Sequence, residues 1–134
     1  MSRIPKTLRV QVRERASGIC EYCQKPEFLS TNGFHVDHII PERHGGNSNL
    51  DNLAWACFDC NIAKGTDIAS IDPDTRQITP LYNPRTQIWE QHFAKQGQYI
   101  VGKSAVGRTT VQILMFNHET QLEIRQILID AGAW

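Results

Sequence analysis

Residues 33–46 read GFHVDHIIPERHGG and hold three of the chain's five histidines and one aspartate beside Val36, Ile39 and Ile40. The apolar residues predict a buried strand over 34–40, which Pro41 ends. A polar group placed against a core without partners is costly. The cluster of His35, Asp37, His38 and His44 therefore needs either a structural partner or a task.

The flanking sequence narrows the choice. Cys20-Glu-Tyr-Cys23 and Cys57-Phe-Asp-Cys60 bracket the stretch and account for all four cysteines. Two C-x-x-C knuckles supply four thiolates to one tetrahedral Zn²⁺. Disulfides are the weaker reading for an intracellular chain, and a thioredoxin-like pair would have to occur twice. The 33 residues between Cys23 and Cys57 exceed the roughly 15–20 of a compact double knuckle. Something folded must fill that gap.

At 134 residues the chain fits one domain that gains from a metal staple. No apolar run approaches the roughly 20 residues of a membrane span. The opening MSRIPKTLRVQVRERASG lacks a secretory apolar region, so a cytoplasmic protein is expected. Fourteen basic and fourteen acidic residues cancel, and net charge selects no partner. Arg3, Lys6, Arg9, Arg13 and Arg15 nevertheless face only Glu14, giving a basic segment that is either a solvated helix face or a phosphate contact.

The element pattern predicts a helix over 5–16 packing Leu8, Val12 and Ala16, then the first knuckle and the turn STNG (30–33). A strand over 34–40, a Gly- and Asn-rich loop and a strand over 53–56 return the chain to the second knuckle. A short helix follows Cys60, with Asp59 as cap and Gly65 near its end. Beyond it, SIDPDTRQIT reads as a hairpin, PRTQIWEQHF as a short helix or turn packed around Trp89, and QYIVG as a strand. Helices are expected from the Ser104 cap to Phe116, packing Val111, Leu114 and Met115, and over 119–131, packing Leu122, Ile127, Leu128 and Ala131. Residues 1–68 form the expected core, and 69–134 an extension packed on it.

The donors at the strand–helix junction suit a second metal. Asp37 offers a carboxylate oxygen and Asn61 an amide oxygen, a hard set matched to Mg²⁺ or Mn²⁺ with several waters. His38 takes a proton near neutrality. Lys64, three residues after Asn61, shares its helix face and is placed to reach a phosphate. A base beside a water-rich ion is what phosphodiester hydrolysis requires.

The order VDHIIP (36–41), LDNL (50–53) and CN..KG (60–65), framed by the two knuckles, resembles the HNH endonucleases. The resemblance covers residues 20–66, and the tail IDPDTRQITPLYNPRTQIWEQHF is similar to an extension of small stand-alone bacterial HNH proteins. It implies an α+β, zinc-stapled ββα-metal (His-Me finger) core with an N-terminal helix and a C-terminal hairpin-plus-helices extension. It also implies His38 as general base and Asp37 and Asn61 as ligands of a catalytic Mg²⁺ or Mn²⁺. Asn52 would bond backbone across the loop and hold His38, and Cys20, Cys23, Cys57 and Cys60 would hold structural Zn²⁺. Asparagine stands at the third motif position where many relatives have histidine. His44 and Arg43 sit where related sequences place a basic residue before two glycines, and with Lys64 they are candidate phosphate contacts. The implied substrate is DNA, double-stranded, and the implied products end in a 5′-phosphate.

Alternatives stay open at each residue. Asp37 could cap or pair with Arg43, and Asn61 could simply start a helix. Adjacent strand residues face opposite sides, so Asp37 and His38 meet one site only if the strand end is irregular. Otherwise His35 would join Asp37 as the metal pair. Arg85 and His92 read as packing around Trp89, and His118 as a surface or capping residue. A catalytically inactive zinc module that binds nucleic acid is the rival function, ahead of a zinc scaffold for protein partners. The sequence is compatible with a homodimer but marks no interface.

Overall fold

The computed structural model describes residues 4–30 and 32–134, so Arg3 of the basic segment and Thr31 of the expected turn lie outside it. Among the described residues, five α-helices and three two-stranded antiparallel sheets form a mixed α and β fold. They group into two compact units, Met1–Ile68 with Asn83–Thr86, and Ala69–Tyr82 with Gln87–Trp134. No helix among the described residues is long and apolar enough to cross a membrane.

The first unit opens with helix α1, Lys6–Arg15, entered through Pro5, whose fixed φ suits a helix start. Val12 is fully buried, with Leu8 and Ala16 half-buried on the same face. The described arginines of the basic segment, Arg9, Arg13 and Arg15, are occupied within the protein. Arg15 donates to Leu50 O at 2.9 Å and Leu53 O at 2.6 Å. Arg9 donates to Phe34 O at 2.9 Å and lies 4.7 Å from the centre of the Trp55 ring. Arg13 grips both oxygens of Glu27, and Glu27 also accepts the Trp55 indole N–H. The expected solvated or phosphate-binding face is thus largely a set of clasps that fasten α1 to the core.

Strands β1, His35–His38, and β2, Leu53–Ala56, form the central hairpin, with Asp37 opposite Ala54 and His38 opposite Leu53. All of β2 is buried. β1 is shorter than the expected 34–40, and Ile40, expected in the core, is 44 % exposed. The reason is local. The Asn52 side chain satisfies both backbone groups of Ile40, replacing the next rung of the strand ladder. Helix α2, Phe58–Lys64, starts earlier than expected, and its cap is the Cys57 sulfur, which accepts from Cys60 N–H at 3.3 Å. Asp59, expected as the cap, instead pairs with Lys25 at 2.9 Å. Gly65 ends the helix, as expected.

Within the second unit, β3, Ala69–Ile71, and β4, Ile78–Pro80, make the expected hairpin. Buried Asp72 organises its turn by accepting from Asp74 N–H, Thr75 N–H and the Thr75 hydroxyl. After α3, Trp89–His92, strand β5, Phe93–Gln96, pairs with β6, Tyr99–Gly102. β5 was not expected. Helix α4, Ala105–Ile113, has Ser104 as its cap, accepting from Gly107 N–H, and passes so close to His92 that a Cβ on Gly107 would lie 1.9 Å from its carbonyl oxygen. It stops before the expected Phe116, because Met115 takes a positive φ and stands exposed. Helix α5, Glu119–Asp130, buries Gln121, Arg125 and Leu128, whereas Ile127, expected inside, is 58 % exposed and Ala131 is exposed. Arg125 sets that rotation by donating to Gln98 O and Asn117 Oδ1, each at 3.1 Å. His118 caps α5, accepting from Thr120 N–H.

Candidate active site

Cys20, Cys23, Cys57 and Cys60 are all buried, and their ligand atoms lie within 4.8 Å of one another. Each knuckle turns a backbone N–H onto its first sulfur, Cys23 onto Cys20 at 3.4 Å and Cys60 onto Cys57 at 3.3 Å. Hydrogen bonds from the other three sulfurs hold the Cys23 thiol well below its ordinary pKa, while burial pushes Cys20 up. Four buried thiols converging on one point, with one already inclined to ionise, fit a tetrahedral zinc ion. Lys25 lies almost wholly buried beside them. Burial opposes its charge, but Cys57 and Asp59 hold its pKa above the ordinary value.

The cysteine cluster joins the two ends of the ββα unit, and a cleft of ≈ 570 Å³ opens along it. Asp37, His38 and Asn61 all line this cleft, together with Arg9, His35 and Arg43. Among the described residues β1 pairs only with β2. Away from β2, His38 O accepts from the Lys64 ammonium, and Asp37 and His38 both reach the cleft wall. β1 ends at His38 and the chain bends at Ile39 and Ile40, so the strand end before Pro41 is irregular, as expected.

Asp37 is 5 % exposed. Its Oδ2 accepts from the Tyr22 hydroxyl at 2.6 Å, and the Lys64 ammonium lies 3.1 Å from Oδ2 and 3.3 Å from Oδ1. Burial raises the Asp37 pKa against the opposing pull of Lys64 and Tyr22. Burial and the Asp37 charge push the Tyr22 hydroxyl well above its ordinary pKa, so it remains a donor. Asp37 is thus partnered by Tyr22 and Lys64 rather than Arg43. Lys64, expected on the surface as a phosphate contact, is 2 % exposed and also donates to His38 O at 3.0 Å. A lysine this deep needs an ionic partner, which Asp37 provides.

His38 is half-buried, and its Nε2 lies 2.9 Å from Ser48 Oγ. Ser48 sits in the loop that Asn52 organises. Asn52 Oδ1 accepts from Ile40 N–H at 2.9 Å, and Nδ2 donates to Ile40 O at 2.9 Å and Asn47 O at 2.8 Å. The same loop requires glycine at position 46, where a Cβ would lie 1.6 Å from Ile40 O. His44, expected as a phosphate contact, instead has Nε2 3.0 Å from Thr66 O, tying the loop to the turn after α2. Arg43 remains on the cleft wall. His35 is exposed, its ring 6.1 Å from that of Phe58.

Sequence reasoning missed Tyr22, Ser48 and the inward turn of Lys64. Tyr22 is the aromatic residue inside the first knuckle, where an apolar neighbour of buried thiols was to be expected; its hydroxyl contact with Asp37 had no local signal. Arg85, expected to pack on Trp89, forms an ion pair with Glu21 inside the same knuckle, and burial lowers its pKa to about 10. Glu21 Oε2 also accepts the Trp55 backbone N–H at 2.7 Å. His92 turns its Nδ1 to Ser104 Oγ at 2.7 Å, with its ring 6.0 Å from that of Tyr82.

Residues 20–67 match the family described as HNH endonuclease. The resemblance read from the motifs is thus matched over that span. The chain is 27 % identical over 124 residues to a Septu protein PtuB of Bacillus thuringiensis. That match covers 91 % of this chain and 46 % of the relative, so the chain spans about half the relative's length. No solved structure matches.

Proposed function

We propose that this chain is a metal-dependent endonuclease that hydrolyses DNA phosphodiester bonds. The observation that carries this reading is the convergence of Asp37, His38 and Asn61 on one cleft of the span that matches the HNH endonuclease family. Asp37 and Asn61 are the residues that would hold a Mg²⁺ or Mn²⁺ ion; such an ion stabilises negative charge on the phosphorus oxygens and the leaving oxygen. His38 takes the proton of the attacking water. In the tautomer whose Nε2–H donates to Ser48 Oγ, Nδ1 is the nitrogen that accepts. Water oxygen bonds to phosphorus as the P–O3′ bond breaks, and O3′ takes a proton from solvent water, leaving a 5′-phosphate and a 3′-hydroxyl. Asn52 keeps the Ser48 loop in register and so holds the imidazole's orientation. Arg43 and Arg9, on the cleft wall, face the phosphodiester strand, and the tetrathiolate zinc fixes both ends of the unit without entering the chemistry.

Nicking of supercoiled plasmid tests the proposal. The wild-type protein is expected to cut with Mg²⁺ or Mn²⁺, and His38→Ala to lose about 10²–10⁴-fold in rate while zinc content and circular dichroism stay native. Undiminished nicking by the folded variant would remove His38 from the reaction. Retained DNA binding with no cutting by the wild type would favour the inactive nucleic-acid-binding module.

A further inference from the structure

The buried ammonium of Lys64 bears on how a divalent ion would enter the cleft. It lies 3.1 Å from Asp37, the only carboxylate in the proposed metal-binding pair. Both side chains are almost wholly buried, so water screens the pair poorly. The second donor, Asn61, is neutral, and the Tyr22 hydroxyl donates a hydrogen bond to Asp37 at 2.6 Å. The donor set therefore carries no net negative charge before any ion arrives. The wider cleft points the same way. Its charged lining residues are Arg9, Arg43, Asp37 and Glu42, and Lys64 stands behind them. Three cations face two anions. Among the described residues, the cysteine tetrad is the only cluster of three or more histidine, cysteine, aspartate or glutamate ligand atoms.

We infer that Lys64 acts as a resident cation that makes divalent-ion binding depend on the substrate: the ion is held tightly only when a phosphodiester supplies the missing negative charge. The inference rests on the nuclease reading and adds an order of assembly to it. Without nucleic acid, a dication meets a carboxylate that is already neutralised and a cleft of net positive charge. With the strand in place, phosphate oxygens restore the charge balance and fill coordination positions that the protein leaves to water. Lys64 touches neither the proposed water nor the scissile bond. It is a positioning residue that works through Asp37 and through the charge of the site.

The test is Mn²⁺ binding, read from the electron paramagnetic resonance signal of free Mn²⁺. Zinc-loaded protein carrying His38→Ala, so that DNA survives, is titrated with and without a short duplex. Addition of duplex is expected to tighten Mn²⁺ binding at least tenfold. Lys64→Met is expected to tighten DNA-free binding about tenfold, the factor that ~1.4 kcal/mol of relieved repulsion produces, and to shrink the gain from DNA. Lys64→Arg, which keeps the charge, should behave as the parent. Equal Mn²⁺ affinity with and without duplex in the parent protein overturns the inference, whether or not Lys64→Met folds. So does Lys64→Met protein with native zinc content that binds Mn²⁺ no more tightly. The underlying nuclease reading fails separately, if Asp37→Ala leaves Mn²⁺ binding unchanged in the presence of DNA.

Discussion

Replacing Asn52 with alanine removes a clamp whose parts can be counted. Its side chain makes three hydrogen bonds, two to Ile40 and one to Asn47 O, and the residue is 8 % exposed. Each intramolecular bond contributes about 0.5–1.5 kcal/mol net, and a buried group left without a partner costs about 1–3 kcal/mol. Ile40 itself is 44 % exposed, so water can recover part of the loss at its backbone. Asn47 O and the space vacated by the amide recover less. The sum is about 3 kcal/mol, which at a urea dependence of roughly 2 kcal/mol per molar lowers the unfolding midpoint by ~1.5 M. The loss should be local as well as global. Hydrogen exchange at the Ile40 amide should accelerate strongly, while Trp55, whose buried N–H is held by Glu21 Oε2, keeps its protection. Plasmid nicking should fall too, because Ser48 follows Asn47 in the released loop and no longer fixes His38. Asn52→Asp should be no better than alanine, since it turns a carboxylate oxygen onto two carbonyls. A variant with unchanged urea midpoint and unchanged Ile40 exchange would refute the clamp.

Two further predictions concern the metal frame and acid stability. Freshly purified protein should contain one zinc per chain, and Cys57→Ser should lose it along with much of the thermal stability, because that sulfur both ligates the ion and caps α2; protein without zinc but with native stability would contradict the frame. Arg108 holds the Asp72 carboxyl far below the usual carboxylate range, with help from Thr75 and Asp74. A depressed folded pKa adds stability that is complete above the unfolded value of about 4 and disappears as pH falls through the folded value. The difference in urea midpoint between wild type and Asp72→Asn should therefore be constant from pH 7 to 5 and shrink below pH 4; a difference unchanged down to pH 2 would show that the ion pair adds nothing.

The cysteine cluster was legible because two C-x-x-C knuckles leave four sulfurs few other arrangements, and the ββα order followed from the need to bring the knuckles together. The cleft residues Asp37, His38 and Asn61 were legible from donor chemistry and motif order. Lys64 was not. Local spacing put it on the Asn61 face, but its partner Asp37 lies 27 positions earlier, and a lysine turns inward only when such a distant carboxylate exists. The end of β1 was misjudged for a related reason, because the Asn52 amide substitutes for a strand partner at Ile40. β5 was missed because Phe-Ala-Lys-Gln has no clear alternation and is a strand only by pairing with β6. In α5 the apolar pattern favoured Ile127, yet the polar partners of Arg125 decide which face turns inward. Local pattern was overruled wherever a buried polar contact with a remote residue fixed the packing.

The most direct measurement is anomalous X-ray scattering at the manganese edge from crystals of the His38→Ala protein grown with Mn²⁺ and a short DNA duplex. The account predicts one manganese peak bridging the Asp37 carboxylate and the Asn61 amide oxygen, against a phosphate oxygen and apart from the zinc among the four cysteines. A duplex bound with no manganese at that position, or manganese held by other residues, would contradict it.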